Sequence, residues 1–211
     1  MAERLRAQEF MDTEGCADWR VLAWGASAFF AGGLRETAPL VATLARVERP
    51  APEVDLRPDG VTVRLPQREA GLTEDHVRAA RDISAAAREL GLRPDPTAVQ
   101  DVNLTIDALV AADVMPFWRA VLGYEELGDE DLVDPHWRGA PIWFQDMDAP
   151  RPQRNRIHVD VFVPPDQAEA RVAAAVAAGG TVVRHTQRPL GWTLADPEGN
   201  EADVATCLGR D

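Results

Sequence analysis

The C-terminal half of the sequence repeats one pattern of predicted elements, and this repeat limits the folds that the chain can adopt. Alternation of apolar residues predicts strands, and apolar spacing of three and four residues predicts helices. The first copy has a strand, a helix and three strands at residues 102–107, 111–122, 124–128, 131–134 and 142–147. The second copy has the same order at residues 156–163, 166–178, 181–186, 192–195 and 201–205. Two such βαβββ halves can pair their sheets around a shared cleft.

The strand predicted at 156–163 alternates strictly. Ile157, Val159, Val161 and Val163 fall on one face, and His158, Asp160 and Phe162 on the other. A strand that buries an apolar face and carries His and Asp on its second face is expected to line a site. In the following helix, the spacing predicts that four residues point inward: Ala168, Val172, Ala175 and Val176.

Residues 1–92 predict a separate, small α+β module. We expect helices at 3–16, 36–47 and from Thr73 to near Gly91, with Val77, Ala80, Ile83, Ser84, Ala87 and Leu90 on the inner face of the last. Strands are expected within 18–30 and at 61–65, and the proline-rich segment between them is predicted to be a loop. His76 is expected at the surface. Residues 93–99 are rich in Pro and Asp and predict a linker, so the second domain covers 100–211.

Charge and hydropathy restrict the partners of the chain. The net charge is −13, with 22 basic and 35 acidic residues, and this argues against a nucleic-acid-binding surface. No apolar run approaches the ~20 residues that span a bilayer, and the first residues carry no secretory signal. We therefore expect a cytoplasmic protein that binds no membrane. Cys16 and Cys207 are expected to be reduced thiols.

Several short motifs in the first module occur in a recognisable order: DWRVL at 18–22, PEVDLR at 52–57, VTVRL at 61–65 and GLT at 71–73. The module resembles the pterin-4a-carbinolamine dehydratase family over nearly its whole length. Members of that family carry a His-His pair just before the second motif and a third His shortly before GLT. Here these positions hold Pro50, Ala51 and Arg68, none of which can exchange protons near neutral pH.

The resemblance therefore implies a dehydratase-like fold that has lost its active-site histidines. Glu53 and Asp55 remain, and either they line a pocket that binds a ligand or they are solvated charges. Retained 4a-hydroxytetrahydrobiopterin dehydratase activity through one of these carboxylates is an alternative.

The repeat in the second module carries the pair Phe117-Trp118, then Leu122-Gly123, and a DPEGN turn at 196–200. With these motifs it resembles the vicinal oxygen chelate superfamily, which includes glyoxalase-like and bleomycin-resistance proteins. Metal-dependent members place one ligand on each of four strands, and the matching positions here are Asn103, Gln145, His158 and Asp203, with Glu201 on the same strand face as Asp203.

The four positions depart from the metal pattern, because amides are weak ligands. We therefore expect no metal cofactor; a divalent metal, if bound, would use His158 and Asp203. The favoured hypothesis is a glyoxalase-like enzyme that acts by acid/base chemistry, with His158, Asp203 and Glu201 as catalytic groups. Asn103, Gln145, Trp143 and Trp192 would bind the small-molecule substrate. The alternative is a bleomycin-resistance-like protein that sequesters a ligand without catalysis. Both resemblances imply a homodimer.

Overall fold

The computed structural model describes residues 4–67, 71–150, 158–188, 190–206 and 208. The chain divides into two compact units, Met1–Asp101 and Val102–Asp211. Each unit has its own hydrophobic core. Among the described residues, no helix is long and apolar enough to cross a membrane.

The first unit packs three helices against an antiparallel sheet. The helices are α1 (Ala7–Asp12), α2 (Leu34–Leu44) and α3 (Glu74–Glu89). The strands are β1 (Arg20–Leu22), β2 (Gly25–Ala31), β3 (Glu53–Arg57), β4 (Gly60–Pro66) and β5 (Arg93–Pro94). The sheet order is β1-β2-β4-β3, and β5 pairs with β2. The segment predicted as a linker, 93–99, therefore begins inside this sheet.

The core of the first unit lies between α3 and the sheet. Val61, Val63 and Leu65 alternate along β4 and are fully buried, as a half-buried strand requires. Most of the predicted inner face of α3 is also buried, but Leu90 is exposed because the helix ends at Glu89. Trp19 spans the core, and its indole N–H donates a 3.0 Å hydrogen bond to Ser84. This bond explains a buried hydroxyl in the middle of an apolar helix face.

Two further predictions in the first unit are wrong. The segment at 53–57 is a strand rather than a loop, because its residues pair in register with β4, Glu53 opposite Arg64 and Asp55 opposite Thr62. His76, expected at the surface, is only 6% exposed. Its Nδ1 accepts the backbone N–H of Thr73 at 3.2 Å, and its Nε2 lies 3.2 Å from the carbonyl oxygen of Pro66. His76 thus closes the first turn of α3 in place of the usual carboxylate or amide.

We predict that His76 makes the first unit pH-sensitive. Burial lowers the pKa of His76 below its ordinary 6.5, although the Pro66 carbonyl and Asp75 oppose the shift. The unfolded chain therefore binds a proton at a pH where the folded chain does not, so stability falls as the pH drops from 6.5 towards the lowered pKa. The measurement is urea unfolding of the wild type and of His76→Gln between about pH 7.5 and about pH 5. The wild type should lose more stability than the variant, and equal slopes would contradict the prediction.

The second unit consists of two four-stranded sheets and two helices. The first half contributes β6 (Leu104–Ala108), α4 (Ala111–Leu122), β7 (Glu125–Leu127), β8 (Asp131–Val133) and β9 (Ile142–Asp146). The second half contributes β10 (Val159–Phe162), α5 (Ala168–Ala177), β11 (Thr181–Gln187), β12 (Leu190–Ala195) and β13 (Glu201–Ala205). A 3₁₀ turn at Pro165–Gln167 leads into α5. The βαβββ repeat is therefore confirmed, and the sequence predicted its element order.

Each half has the same sheet topology. The orders are β6-β9-β8-β7 and β10-β13-β12-β11, with the first pair parallel in both sheets and the other pairs antiparallel. One core joins the halves, and it includes Phe117 and Ile142 from the first and Leu194 and Val204 from the second. In α5, Ala168 and Ala175 are buried as predicted, but Val176 is exposed. Residues 156 and 157 of the predicted strand lie outside the described part of the chain.

The DPEGN turn between β12 and β13 is held by the carboxylate of Asp196, which is buried. Its oxygens accept hydrogen bonds from the backbone N–H groups of Glu198 and Asn200 and from the Asn200 side-chain amide, at 2.8–3.0 Å. The indole N–H of Trp118 in α4 donates a further bond of 2.9 Å. Asp196 therefore shapes the turn and binds it to the helix of the other half.

Glu198, in the same turn, contacts the start of α4. Its carboxylate accepts the backbone N–H groups of Leu109 at 2.9 Å and Val110 at 3.1 Å, directly before the helix begins. A carboxylate at this position also interacts favourably with the helix dipole. The turn of the second half thus stabilises the N-terminus of the helix in the first half.

We predict that Asp196→Ala destabilises the second unit strongly. The variant would leave a buried indole N–H and several turn N–H groups without an acceptor, at about 1–3 kcal/mol for each buried group. Asp166→Ala is the matched control, because Asp166 is exposed and its loss should change stability by less than about 0.5 kcal/mol. Urea unfolding followed by tryptophan fluorescence measures both. A similar midpoint for the two variants would contradict this role of Asp196.

Candidate functional site

The exposed faces of β10 and β13 bring together the acidic and imidazole side chains that the sequence suggested. His158 directly precedes β10, and Asp160 is the second residue of that strand. In the parallel pairing of the two strands, Asp160 is the direct partner of Asp203. Because side chains alternate along a strand, His158, Asp160 and Asp203 project from the same face of the sheet.

The distances within this group are short. His158 Nε2 lies 3.2 Å from Asp160 Oδ1 and 3.8 Å from Asp203 Oδ2. One donor atom from each of the three residues lies within 4.8 Å of the other two. We call these residues the histidine–carboxylate cluster. The His158 and Asp160 side chains are 47% and 50% exposed and Asp203 is 24% exposed, so a small molecule can reach the cluster from solvent.

Asp203 has an oxygen that lacks a partner. Its Oδ1 is buried, and within the described residues no donor reaches it. A buried carboxylate oxygen without a donor costs about 1–3 kcal/mol or more. The single Nε2 of His158 is shared by two carboxylates and cannot satisfy this atom. One imidazole and two carboxylates form a donor set that binds divalent transition metals. A bound cation would also give the unpartnered oxygen of Asp203 a partner.

Asp160 was missed as a site residue in the sequence analysis. The family comparison takes one position from each of four strands, and Asp160 is two residues beyond the His158 position on the same strand. The signal was present, because strict alternation already put Asp160 on the face of His158. Glu201 lies two residues before Asp203 and is part-buried on the same face of β13.

A row of paired residues extends across the second sheet from the cluster. Asp160 pairs with Asp203, Asp203 with Thr193 on β12, and Thr193 with Arg184 on β11. Arg184 Nη2 lies 3.5 Å from Thr193 Oγ1, at the limit of a hydrogen bond. The same face therefore offers negative charge at one end and a guanidinium at the other.

Asn103 and Gln145 belong to the sheet of the first half. Asn103 directly precedes β6, and Gln145 pairs with Asp107 across β6 and β9; both side chains are exposed. The contacts of the cluster join His158 with Asp203, and the two amides lie on the other sheet.

Trp143 is on the same face of β9 as Gln145, is exposed, and donates a 3.2 Å hydrogen bond to Glu130. Its cross-strand partner is Asp131, whose pKa is raised by burial and, to a smaller extent, by Glu130.

Trp192 was predicted to bind the substrate beside His158 and Asp203, and this prediction is wrong. It pairs across the strands with Val204, which is fully buried, whereas the next residue, Thr193, pairs with Asp203. Trp192 therefore points to the opposite face of the sheet, packs against the core, and stacks on His185 with ring centroids 4.7 Å apart. A one-residue difference in register decides which face a side chain occupies, and the sequence pattern of β12 did not reveal it.

In the first unit, Glu53 and Asp55 lie on the edge strand β3 and form ion pairs. Glu53 contacts Arg64 at 3.4 Å, and Asp55 contacts Arg57 at 2.8 Å. Arg64 also contacts Asp101 at 3.2 Å, and Asp101 accepts the backbone N–H of Trp24. Both carboxylates thus have cationic partners.

The comparison with family models concerns the second unit. The family model described as "Glyoxalase-like domain" matches residues 103–205. No curated protein matches the sequence. One solved structure that resembles the chain is a glyoxalase/bleomycin resistance protein/dioxygenase family enzyme from Burkholderia phytofirmans PsJN. It is 17% identical with a TM-score of 0.41, and the match covers 52% of this chain and 100% of that one.

A second solved structure is the fosfomycin resistance protein FosX from Listeria monocytogenes, complexed with Mn(II) and sulfate. It is 10% identical with a TM-score of 0.42, covering 51% of this chain and 89% of that one. The repeat, its topology and the family match define the second unit as a mixed α+β domain of paired βαβββ modules. Residues 103–205 form a glyoxalase-like domain.

We predict unequal effects on this domain when Trp192 and Trp143 are each replaced by alanine. Trp192→Ala should destabilise it by up to about 3 kcal/mol, because the ring packs against the core. Trp143→Ala should change stability by less than about 0.5 kcal/mol, because its ring is exposed. Urea unfolding followed by circular dichroism measures both. A larger loss for Trp143→Ala than for Trp192→Ala would contradict the assignment of the two faces.

Proposed function

We propose that the glyoxalase-like domain binds a small molecule over the histidine–carboxylate cluster and acts on it by acid/base chemistry. The observation that carries this proposal is the position of His158 Nε2, 3.2 Å and 3.8 Å from two carboxylates on a solvent-accessible sheet face. Imidazole is the side chain best suited to exchange protons near neutral pH.

In this mechanism His158 removes a proton next to a carbonyl, or transfers one during ring opening or elimination. Asp160 and Asp203 orient the imidazole and stabilise its positive charge after proton uptake, as carboxylates do beside catalytic histidines. Glu201, on the same face, is a second proton acceptor.

Other polar and aromatic groups of the domain would orient the ligand. The amides of Asn103 and Gln145 supply hydrogen bonds, and the exposed ring of Trp143 supplies a flat surface. Arg184, in line with Asp203 across the sheet, suits an anionic group of the ligand.

A divalent cation fits the same residues. His158 and Asp203 would hold it, consistent with the positions that metal-dependent relatives use. When bound, such a cation supplies Lewis acidity that polarises a carbonyl or epoxide oxygen. With the cation bound, Nε2 of His158 would be a ligand and not a proton acceptor, so Glu201, on the same face, would accept the proton.

Sequestration of a ligand without catalysis is the second candidate function. It is favoured by the exposed aromatic rings of Trp143 and Phe162, both on exposed sheet faces of the domain. Stacking on flat aromatic surfaces is sufficient for binding and requires no acid or base.

For the first unit we propose a dehydratase-like module with a degenerate site. Glu53 and Asp55 are ion-paired with Arg64 and Arg57, and the histidine positions hold other residues, so proton exchange is not favoured there. Arg68, at the third of these positions, lies outside the described residues. The homodimer expected from both resemblances stays a prediction.

The test is turnover of a small panel by the full chain and its variants. The panel contains an α-ketoaldehyde hemithioacetal, an epoxide with a thiol or water as nucleophile, and a 4a-hydroxytetrahydropterin. We expect turnover of a member of the first two classes, and loss of about 10²–10⁴-fold in kcat/KM for His158→Ala and Asp203→Asn. The pterin should not be turned over.

His136→Ala is the matched control, because His136 is an exposed histidine of the same domain and lies in a loop. It should retain full activity. Turnover that survives His158→Ala and Asp203→Asn would contradict acid/base chemistry at the cluster. Stoichiometric binding of a panel member without any conversion would support sequestration instead.

A further inference from the structure

We propose that Asp160 is a metal ligand, so that a divalent cation is held entirely by the second half of the domain through His158, Asp160 and Asp203. The inference rests on the proposed function and deepens it: in the cation-bound protein His158 is a ligand, and Glu201 is the proton acceptor. It departs from the arrangement in which ligands come from four strands of both halves, since two of those positions are the amides Asn103 and Gln145.

The geometry of the three donor atoms supports a common centre. Metal–ligand bonds of about 2.0–2.2 Å place neighbouring ligand atoms roughly 3–3.5 Å apart. The observed separations from His158 Nε2 are 3.2 Å to Asp160 and 3.8 Å to Asp203, and all three donor atoms lie within 4.8 Å of one another. Small side-chain rotations would therefore complete the site without moving the strands.

The charges of the cluster also favour a bound cation. Asp160 and Asp203 are direct partners on adjacent strands, and like charges in this position repel each other. The imidazole provides one nitrogen for both carboxylates, and Asp203 Oδ1 is buried without a donor. A divalent cation would offset the repulsion between the two carboxylates.

The first half offers weaker ligands at the corresponding places. Asn103 and Thr105 lie at the start of β6 as His158 and Asp160 lie at the start of β10. The partner of Thr105 on β9 is Trp143, whereas the partner of Asp160 on β13 is Asp203. Asn103 and Thr105 are neutral oxygen donors, and an indole is not a metal ligand. Within the described residues, His158, Asp160 and Asp203 are the group of three or more His, Cys, Asp and Glu side chains that converges on one point.

The two halves of the domain would then have different roles, one in binding the metal and the other in binding the organic ligand. The cation would be bound on one side by three protein ligands and would keep open positions towards solvent, as catalytic metals require. The amides of the first half would then be available to bind the organic ligand rather than the metal.

The experiment is Mn²⁺ binding to the chelator-treated full chain, measured by isothermal titration calorimetry and by electron paramagnetic resonance. The wild type should bind one Mn²⁺ per chain. Asp160→Asn and Asp203→Asn should weaken binding by about 10–100-fold or more. The ¹⁴N modulation from a coordinated imidazole should be seen in the wild type and lost in His158→Ala.

Four further variants test whether the effect on binding is specific to the carboxylate of Asp160. Asn103→Ala and Gln145→Ala should bind within about two-fold of the wild type. Asp166→Asn removes one negative charge from an exposed turn and should also have little effect. Asp160→Glu keeps a carboxylate and should bind more tightly than Asp160→Asn; it also tests the proposal if the Asn variant fails to fold.

The inference is overturned if the wild type binds no Mn²⁺, if Asp160→Asn behaves like Asp166→Asn, or if the two amide variants weaken binding as much as Asp160→Asn. These outcomes are distinct from failure of the proposed function. Turnover that depends on His158, in a wild type that binds no Mn²⁺, would uphold the function and overturn the inference. Mn²⁺ binding that depends on Asp160, without turnover of any substrate, would uphold the inference and contradict the proposed function.

Discussion

The carboxylate of Asp196 is the interaction on which the second unit depends. It fixes the turn that starts β13 and binds that turn to Trp118 in the helix of the other half. The position of β13 in turn decides which residues face β10. Because Asp203 lies seven positions after Asp196 and pairs with Asp160, the geometry of the histidine–carboxylate cluster follows from this buried hydrogen-bond network. The DPEGN motif is thus a structural element that positions a site without belonging to it.

Much of this fold could be predicted because its signals are local. Apolar spacing predicted the bounds of α4 and β13, and the alternation at 156–163 placed His158 and Asp160 on one face. The neighbours of a strand within a sheet are not local information. The sequence therefore could not show that β10 and β13 are adjacent and parallel, and this pairing is what brings Asp160 beside Asp203.

The wrong predictions have a common physical origin in contacts between distant segments. Trp192 was assigned to the wrong face because alternation alone does not tell which face of β12 is buried. His76 was expected in solvent because it lies next to the N-terminus of α3. The Pro66 carbonyl and the Thr73 amide provide partners that permit its burial. The edge strand β3 was hidden by flanking prolines, and its pairing with β4 overrides them.

The hydrogen bonds of Glu198 and Asp196 to the start and middle of α4 also bear on how the repeat can fold. An isolated first copy would have neither the carboxylate before its helix nor an acceptor for the buried Trp118 indole. An isolated second copy would keep a buried carboxylate without its indole partner. Although the two copies have the same topology, neither is self-sufficient, so the repeat is expected to form as one cooperative unit.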